Sequence, residues 1–81
     1  MWFQREKPGP EIVPGNAYRR EDEEHHTVET AQVLKITQDK GGIAHVYFNI
    51  EYQQPYARIV DGPRVMALEF FRQRYRERVF A

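Results

Sequence analysis

The sequence predicts a mainly β domain, either a small antiparallel barrel or a curved sheet, that ends in a C-terminal helix. Residues 43–52, IAHVYFNIEY, alternate between apolar and polar side chains with a period of two. Residues 27–37, TVETAQVLKIT, are rich in β-branched side chains, and the glycine-bearing turn QDKGG joins the two runs. Together they predict a β-hairpin. The alternative is an α+β fold, in which a three-stranded antiparallel sheet packs against the C-terminal helix.

The chain of 81 residues predicts one domain, residues 17–81, preceded by an extended arm, residues 1–16. The arm is expected to be extended because three prolines and two glycines occur close together in KPGPEIVPGN. Folding a chain of this size buries only about 60–65% of its unfolded surface, so the core is thin. Trp2 and Phe3 are costly to leave in water, and we expect them to dock on the domain or on a partner.

The alternation in the second strand of the hairpin predicts which side chains face the core: Ala44, Val46, Phe48, Ile50 and Tyr52. The first strand alternates less regularly, which predicts either a bulge near Gln32 or a strand covered on both faces. Residues 16–21 are a candidate edge strand, and residues 58–60 a candidate short strand. These predictions give a small antiparallel sheet built around the hairpin.

A helix is predicted at about residues 66–79. An apolar stripe recurs there at spacings of three and four, formed by Val65, Leu68, Phe71, Tyr75 and Val79. Asp61 occupies an N-cap position for this helix, and Pro63 fits its first turn. The arginines of this segment then flank the stripe as a solvated face.

The order of these segments resembles the small SH3-like or Tudor-like β-barrel domains of uncharacterised bacterial proteins. The segments that carry the resemblance are, in order, TAQVLKIT, QDKGG, IAHVYFNIEY, ARIV and RVMALEFF. It covers about residues 17–71. The resemblance implies an SH3-like fold and a binding module for peptides, modified side chains or nucleic acid.

Charge and composition exclude several classes of function. The net charge is zero, but residues 1–30 sum to 4 − 7 = −3 and residues 64–81 to 5 − 2 = +3. Such a charge distribution can steer a charged partner toward the chain or pair two copies head to tail. It can also be neutralised within one chain when the acidic N-terminal part packs against the basic C-terminal part. Cysteine and serine are both absent, which excludes disulfides, thiolate catalysis and cysteine-ligated metal. No segment reads as a signal peptide or membrane span, so we expect a cytoplasmic protein with no membrane partner.

Three functions remain open. The first is a non-enzymatic protein-interaction module whose partner is either a second copy, in a homodimer, or another protein. The second is a nucleic-acid-binding domain that uses the C-terminal arginines. The third is a small enzyme that uses His45, or a metal-binding protein that uses Glu24, His25 and His26 in the acidic loop. No cofactor is expected. The candidate binding residues are Trp2, Phe3, His45, Tyr47, Tyr56, Arg64, Arg72, Arg74, Arg76 and Arg78.

Overall fold

The computed structural model describes residues 9–80 as a five-stranded antiparallel sheet with one short helix. The elements in chain order are β1 Ala17–Asp22, β2 Thr27–Gln38, β3 Ala44–Gln54, β4 Ala57–Ala67, α1 Leu68–Arg74 and β5 Glu77–Val79. The strand order is β4-β3-β2-β1-β5, so β4 and β5 form the two edges. The mainly β prediction is confirmed. In the described part of the chain the sheet is open, and no pairing closes it into the barrel that the resemblance implies.

The predicted hairpin is confirmed as β2 and β3, which pair in antiparallel register from Val28↔Gln53 to Gln38↔Ala44. Its turn is held by the Asp39 carboxylate, which accepts hydrogen bonds from the backbone N–H groups of Gly41 at 2.8 Å and Ile43 at 2.9 Å. The Asp39 carboxylate therefore satisfies two backbone N–H groups of the turn that strand pairing leaves without an acceptor.

One face of the sheet carries the core. Val46, Phe48 and Ile50 are buried, and Ala44 and Tyr52 are half-buried, so the predicted phase of β3 is confirmed. The other buried apolar residues are Ile12, Tyr18, Ala31, Val33, Phe71 and Tyr75. The predicted bulge of β2 lies at Leu34, two residues beyond Gln32, where the alternation of buried residues that begins at Thr27 ends.

The helix is much shorter than the predicted 66–79, and the segment before it is a strand. Residues 61–67 pair with β3, so Asp61 lies in β4 and caps no helix. Three residues of β5 at the other end pair with β1, as Ala17↔Val79, Tyr18↔Arg78 and Arg19↔Glu77. Arg19 Nε also donates to Glu77 Oε1 at 2.6 Å. Strand pairing on both sides therefore limits the helix to seven residues.

Residues 9–16 of the predicted arm lie against the domain. Ile12 is buried in the core, and the Tyr18 hydroxyl donates to the Glu11 carbonyl at 2.8 Å. The Arg72 guanidinium donates to the carbonyls of Pro10 at 3.2 Å and Gly9 at 3.1 Å. These bonds join the N-terminal segment to Arg72 of the C-terminal segment within one chain. Trp2 and Phe3 lie outside the described residues, so their predicted docking stays a prediction.

We expect Phe48→Ala to reduce the free energy of unfolding by about 3–5 kcal/mol, measured by urea denaturation. The Phe48 ring contacts the rings of Phe71 and Tyr75 at centroid distances of 5.1 and 5.9 Å, so its loss leaves a cavity between sheet and helix. Tyr56→Ala is the control, because Tyr56 is fully exposed and its loss should change stability little. A cost below about 1 kcal/mol for Phe48→Ala would contradict the described core.

Candidate interaction surface

Strand β4 is the most exposed long element of the fold. Nine of its eleven residues are exposed, and β3 is its one neighbour in the described sheet. Ile59, Val60 and Val65 are 49%, 67% and 54% exposed. The strand therefore presents apolar side chains and an unpaired backbone edge to solvent.

Pairing with β3 assigns the side chains of β4 to two faces, since directly opposite residues share a face. The core face of β4 carries Ile59, Asp61, Arg64 and Met66, opposite Tyr52, Ile50, Phe48 and Val46. The opposite face carries Arg58, Val60, Val65 and Ala67. Each face therefore combines exposed or half-buried apolar side chains with charged ones.

A bulge at Gly62 and Pro63 divides β4 into two halves. Phe48 and Ile50 of β3 lie opposite Arg64 and Asp61, so β4 has one more residue than β3 at this point. Gly62 has a φ of +142°, and a Cβ atom there would lie 2.5 Å from Asn49 Oδ1 and 2.9 Å from Asn49 Cα. The bulge therefore requires glycine at this position.

The charges beside the bulge are paired along the strand. Asp61 accepts a hydrogen bond from Arg64 Nη2 at 2.7 Å and one from the Gly62 N–H at 2.8 Å, and both bonds lower the pKa of Asp61. Arg58 Nη2 donates to Glu51 Oε1 at 2.7 Å, which raises the pKa of Arg58. The free edge is thus close to neutral despite its two arginines.

An apolar groove lies where β4 runs into α1. Its volume is about 500 Å³, and its apolar lining includes Ile43, Ala44, Leu68 and Phe70. Ile43 is 56% exposed and Phe70 is 68% exposed. The groove contains Ala67, the last residue of β4, so the exposed apolar surface continues from the strand onto the helix.

The candidate arginines Arg64, Arg72, Arg74 and Arg78 contact acceptors or rings within the chain. Arg64 pairs with Asp61, Arg72 with the carbonyls of residues 9 and 10, and Arg78 stacks over the Phe80 ring at 4.4 Å. Arg74 Nη2 lies 3.4 Å from Glu29 Oε2, so it is not simply on a solvated face. Arg76 is exposed between α1 and β5. Arg72 and Arg74 therefore join the C-terminal segment to the N-terminal residues and to β2.

Glu29 is a buried carboxylate that sequence reasoning missed. It is 6% exposed and accepts hydrogen bonds from Arg20 Nη1 at 2.6 Å and the Tyr75 hydroxyl at 3.0 Å. Arg74 completes the cluster. Burial is the main cause that raises the pKa of Tyr75 to about 12. With all its partners in place, this cluster fixes the end of α1 to β2.

The remaining predicted binding residues do not form one site. The His45 ring lies 3.1 Å from the Ile43 carbonyl oxygen, and Tyr47 lies on the same face with Lys35 Nζ 4.7 Å from its ring centroid. Tyr56 lies in the turn at the far end of the β3–β4 hairpin. The first two are half-buried, and neither lines the groove at Phe70.

The acidic loop between β1 and β2 contains Glu24, His25 and His26, all exposed. The His25 ring lies 2.8 Å from Asp22 Oδ2, and this hydrogen bond is the main cause that lowers the pKa of Asp22. Within residues 9–80, no group of three or more His, Asp or Glu side chains is placed to hold a metal ion. The loop thus gives no support to metal binding.

We expect Gly62→Ala to reduce the free energy of unfolding by about 1–3 kcal/mol in urea denaturation. The added Cβ would meet Asn49, and alanine disfavours a φ of +142°. Gly41→Ala is the matched control, since a Cβ there has its nearest neighbour at 3.4 Å. Equal effects of the two substitutions would show that the β4 bulge is not as described.

We also expect stability to fall at alkaline pH because of Tyr75. Its pKa of about 12 in the folded protein exceeds the value of about 10 in an unfolded chain. The folded state therefore holds this proton more tightly, and the resulting stabilisation, present below pH 10, is lost between about pH 10 and 12. Tyr75→Phe should lack this part of the decline, about 1–2 kcal/mol, in urea denaturation at successive pH values. Parallel curves for the two proteins would contradict the assignment.

No helix in residues 9–80 has the length and apolar character needed to cross a membrane. A scan against protein-family models and searches of curated proteins and of solved structures found no match to this chain.

Proposed function

We propose that this domain is a non-enzymatic protein-interaction module that binds an extended polypeptide segment along the free edge of β4. One observation carries the proposal. Nine consecutive residues of this strand, 57–65, are exposed, with apolar side chains on both faces and no strand beside the outer edge in the described sheet.

Such an edge suits strand addition. Unpaired N–H and C=O groups form main-chain hydrogen bonds to an incoming strand, and side chains on alternate faces add specificity. Val60 and Val65 lie on one face, and Ile59 lies on the other, so an added strand would cover apolar surface on both sides. The groove at Phe70 extends the same surface beyond the end of the strand.

The charges favour a polypeptide over a nucleic acid as the ligand. Arg58 and Arg64, the two arginines on the edge strand, are paired with Glu51 and Asp61. Arg72 and Arg74 also bind acceptors within the domain, and the net charge of the chain is zero. Phosphate binding depends on cations that are available to replace counterions.

The test is selection of peptides from a displayed library of random seven-residue sequences on sparsely immobilised, full-length protein. We expect enriched peptides that bind the wild type and lose at least about tenfold in affinity for Val60→Lys, which puts a charge on the exposed edge. Leu34→Lys is the matched control, because Leu34 is similarly exposed but lies on β2, and it should leave binding unchanged. If no peptide is enriched, or if both variants bind equally, the proposal is wrong.

A further inference from the structure

We infer that the partner of the β4 edge is the same edge of a second copy, paired antiparallel about a two-fold axis at the Gly62–Pro63 peptide. This inference rests on the proposed function and names its partner. In the resulting homodimer, two five-stranded sheets join through β4 into one continuous sheet.

The sequence of β4 is complementary to itself about this point. Pairs between the two copies are counted outward from Gly62 of one copy and Pro63 of the other, and the first three pairs are complementary. Asp61 lies opposite Arg64, an acid opposite a base. The remaining pairs are Val60 with Val65, Ile59 with Met66, and Arg58 with Ala67. An antiparallel pair of these strands therefore matches opposite charges and apolar side chains together.

The bulge makes the faces agree as well. Without an extra residue, Asp61 and Arg64 would lie on opposite faces, because they are three positions apart. With the bulge, Asp61 and Arg64 share the core face, and Val60 and Val65 share the other. The directions of the backbone N–H and C=O groups also alternate along a strand with a period of two. When residues of the same face lie opposite each other, the N–H and C=O groups that point outward from one copy therefore meet those that point outward from the other.

The centre of this pairing leaves no backbone donor without a partner. Pro63 has no N–H, and the N–H of Gly62 already donates to the Asp61 carboxylate at 2.8 Å. An incoming strand therefore finds no free N–H donor at these two residues, and its regular pairing is confined to the halves on each side. In the two-fold pairing Gly62 and Pro63 of the two copies face each other, and the regular halves on each side pair together.

The neighbouring registers fail. A shift by two residues in one direction places Asp61 opposite Met66, and in the other direction places Ile59 opposite Arg64. A shift by one residue pairs side chains of opposite faces. Among these registers, the one centred on Gly62 and Pro63 satisfies charge, burial and face together.

The first measurement is sedimentation equilibrium of the full chain from micromolar to millimolar concentration. We expect the mass to rise from 9.7 kDa toward twice that value. The variant Trp2→Ala/Phe3→Ala should dimerise equally, since the interface lies on β4. A constant monomer mass, or a dimer that is lost in this variant, would overturn the inference.

The second measurement exchanges charges between copies. Asp61→Arg alone sets two cations against two cations across the axis, and Arg64→Asp alone sets two anions against two anions. Each should weaken dimerisation at least about tenfold. An equimolar mixture of the two variants should form a heterodimer at the concentrations at which the wild type dimerises. In that heterodimer one chain presents two cations to the two anions of the other. Both variants lose the pair within the chain, which mixing leaves broken, so recovery reports contact between copies alone.

The outcomes separate this inference from the proposed function. If the wild type is a monomer but selected peptides bind through Val60, the edge is a peptide-binding site and the second copy is the wrong partner. If the wild type dimerises but the mixture of charge variants does not, the two copies meet elsewhere or in another register. If no peptide binds through Val60 and the wild type is a monomer, both proposals fail.

Discussion

The packing of Phe71 and Tyr75 against one face of the sheet is the interaction on which the rest of the structure depends. The Phe71 ring contacts Tyr18 of β1 and Phe48 of β3 with centroid distances of 5.9 and 5.1 Å, and the Tyr75 hydroxyl reaches Glu29 of β2. Two aromatic side chains thus link three strands. A single sheet has no second sheet to cover its apolar face, so α1 and the segment around Ile12 supply the covering layer.

The small size of that layer explains why β4 is exposed. A helix of seven residues is about 10 Å long. Five strands with four spacings of about 4.8 Å span roughly 19 Å. The aromatic side chains that anchor this layer, Phe71 and Tyr75, contact β1, β2 and β3, so most of the outer strand is left uncovered. Strand β4 is held chiefly by its pairing with β3. The exposed edge follows from the shortness of the helix and from where its aromatic residues anchor.

The sequence predicted what depends on local pattern. The strict alternation of β3 and the QDKGG turn identified the central hairpin and its buried face correctly. Residues 61–75 carry two patterns at once, because the bulge at Gly62 shifts the alternation of β4 and hides it, while the aromatic spacing imitates a longer helix. Pairing with β3 decides between them, and that is a long-range contact. Glu29 was missed for the same reason, since its partners are distant in sequence except for Arg20.

The features that protect β4 from unspecific pairing are the same ones that make it complementary to itself. Exposed edge strands in soluble proteins are commonly interrupted by proline, by bulges and by charges, and β4 has all three at residues 61–64. Against an arbitrary strand these features leave a gap in the hydrogen bonding and no complementary charges opposite Asp61 and Arg64. Against a second β4, Asp61 of each copy lies opposite Arg64 of the other. The hydrogen-bonding gaps at Gly62 and Pro63 of the two copies then face each other. Specificity for its own sequence would then come from mismatches that exclude other strands, and the apolar pairs would supply the affinity.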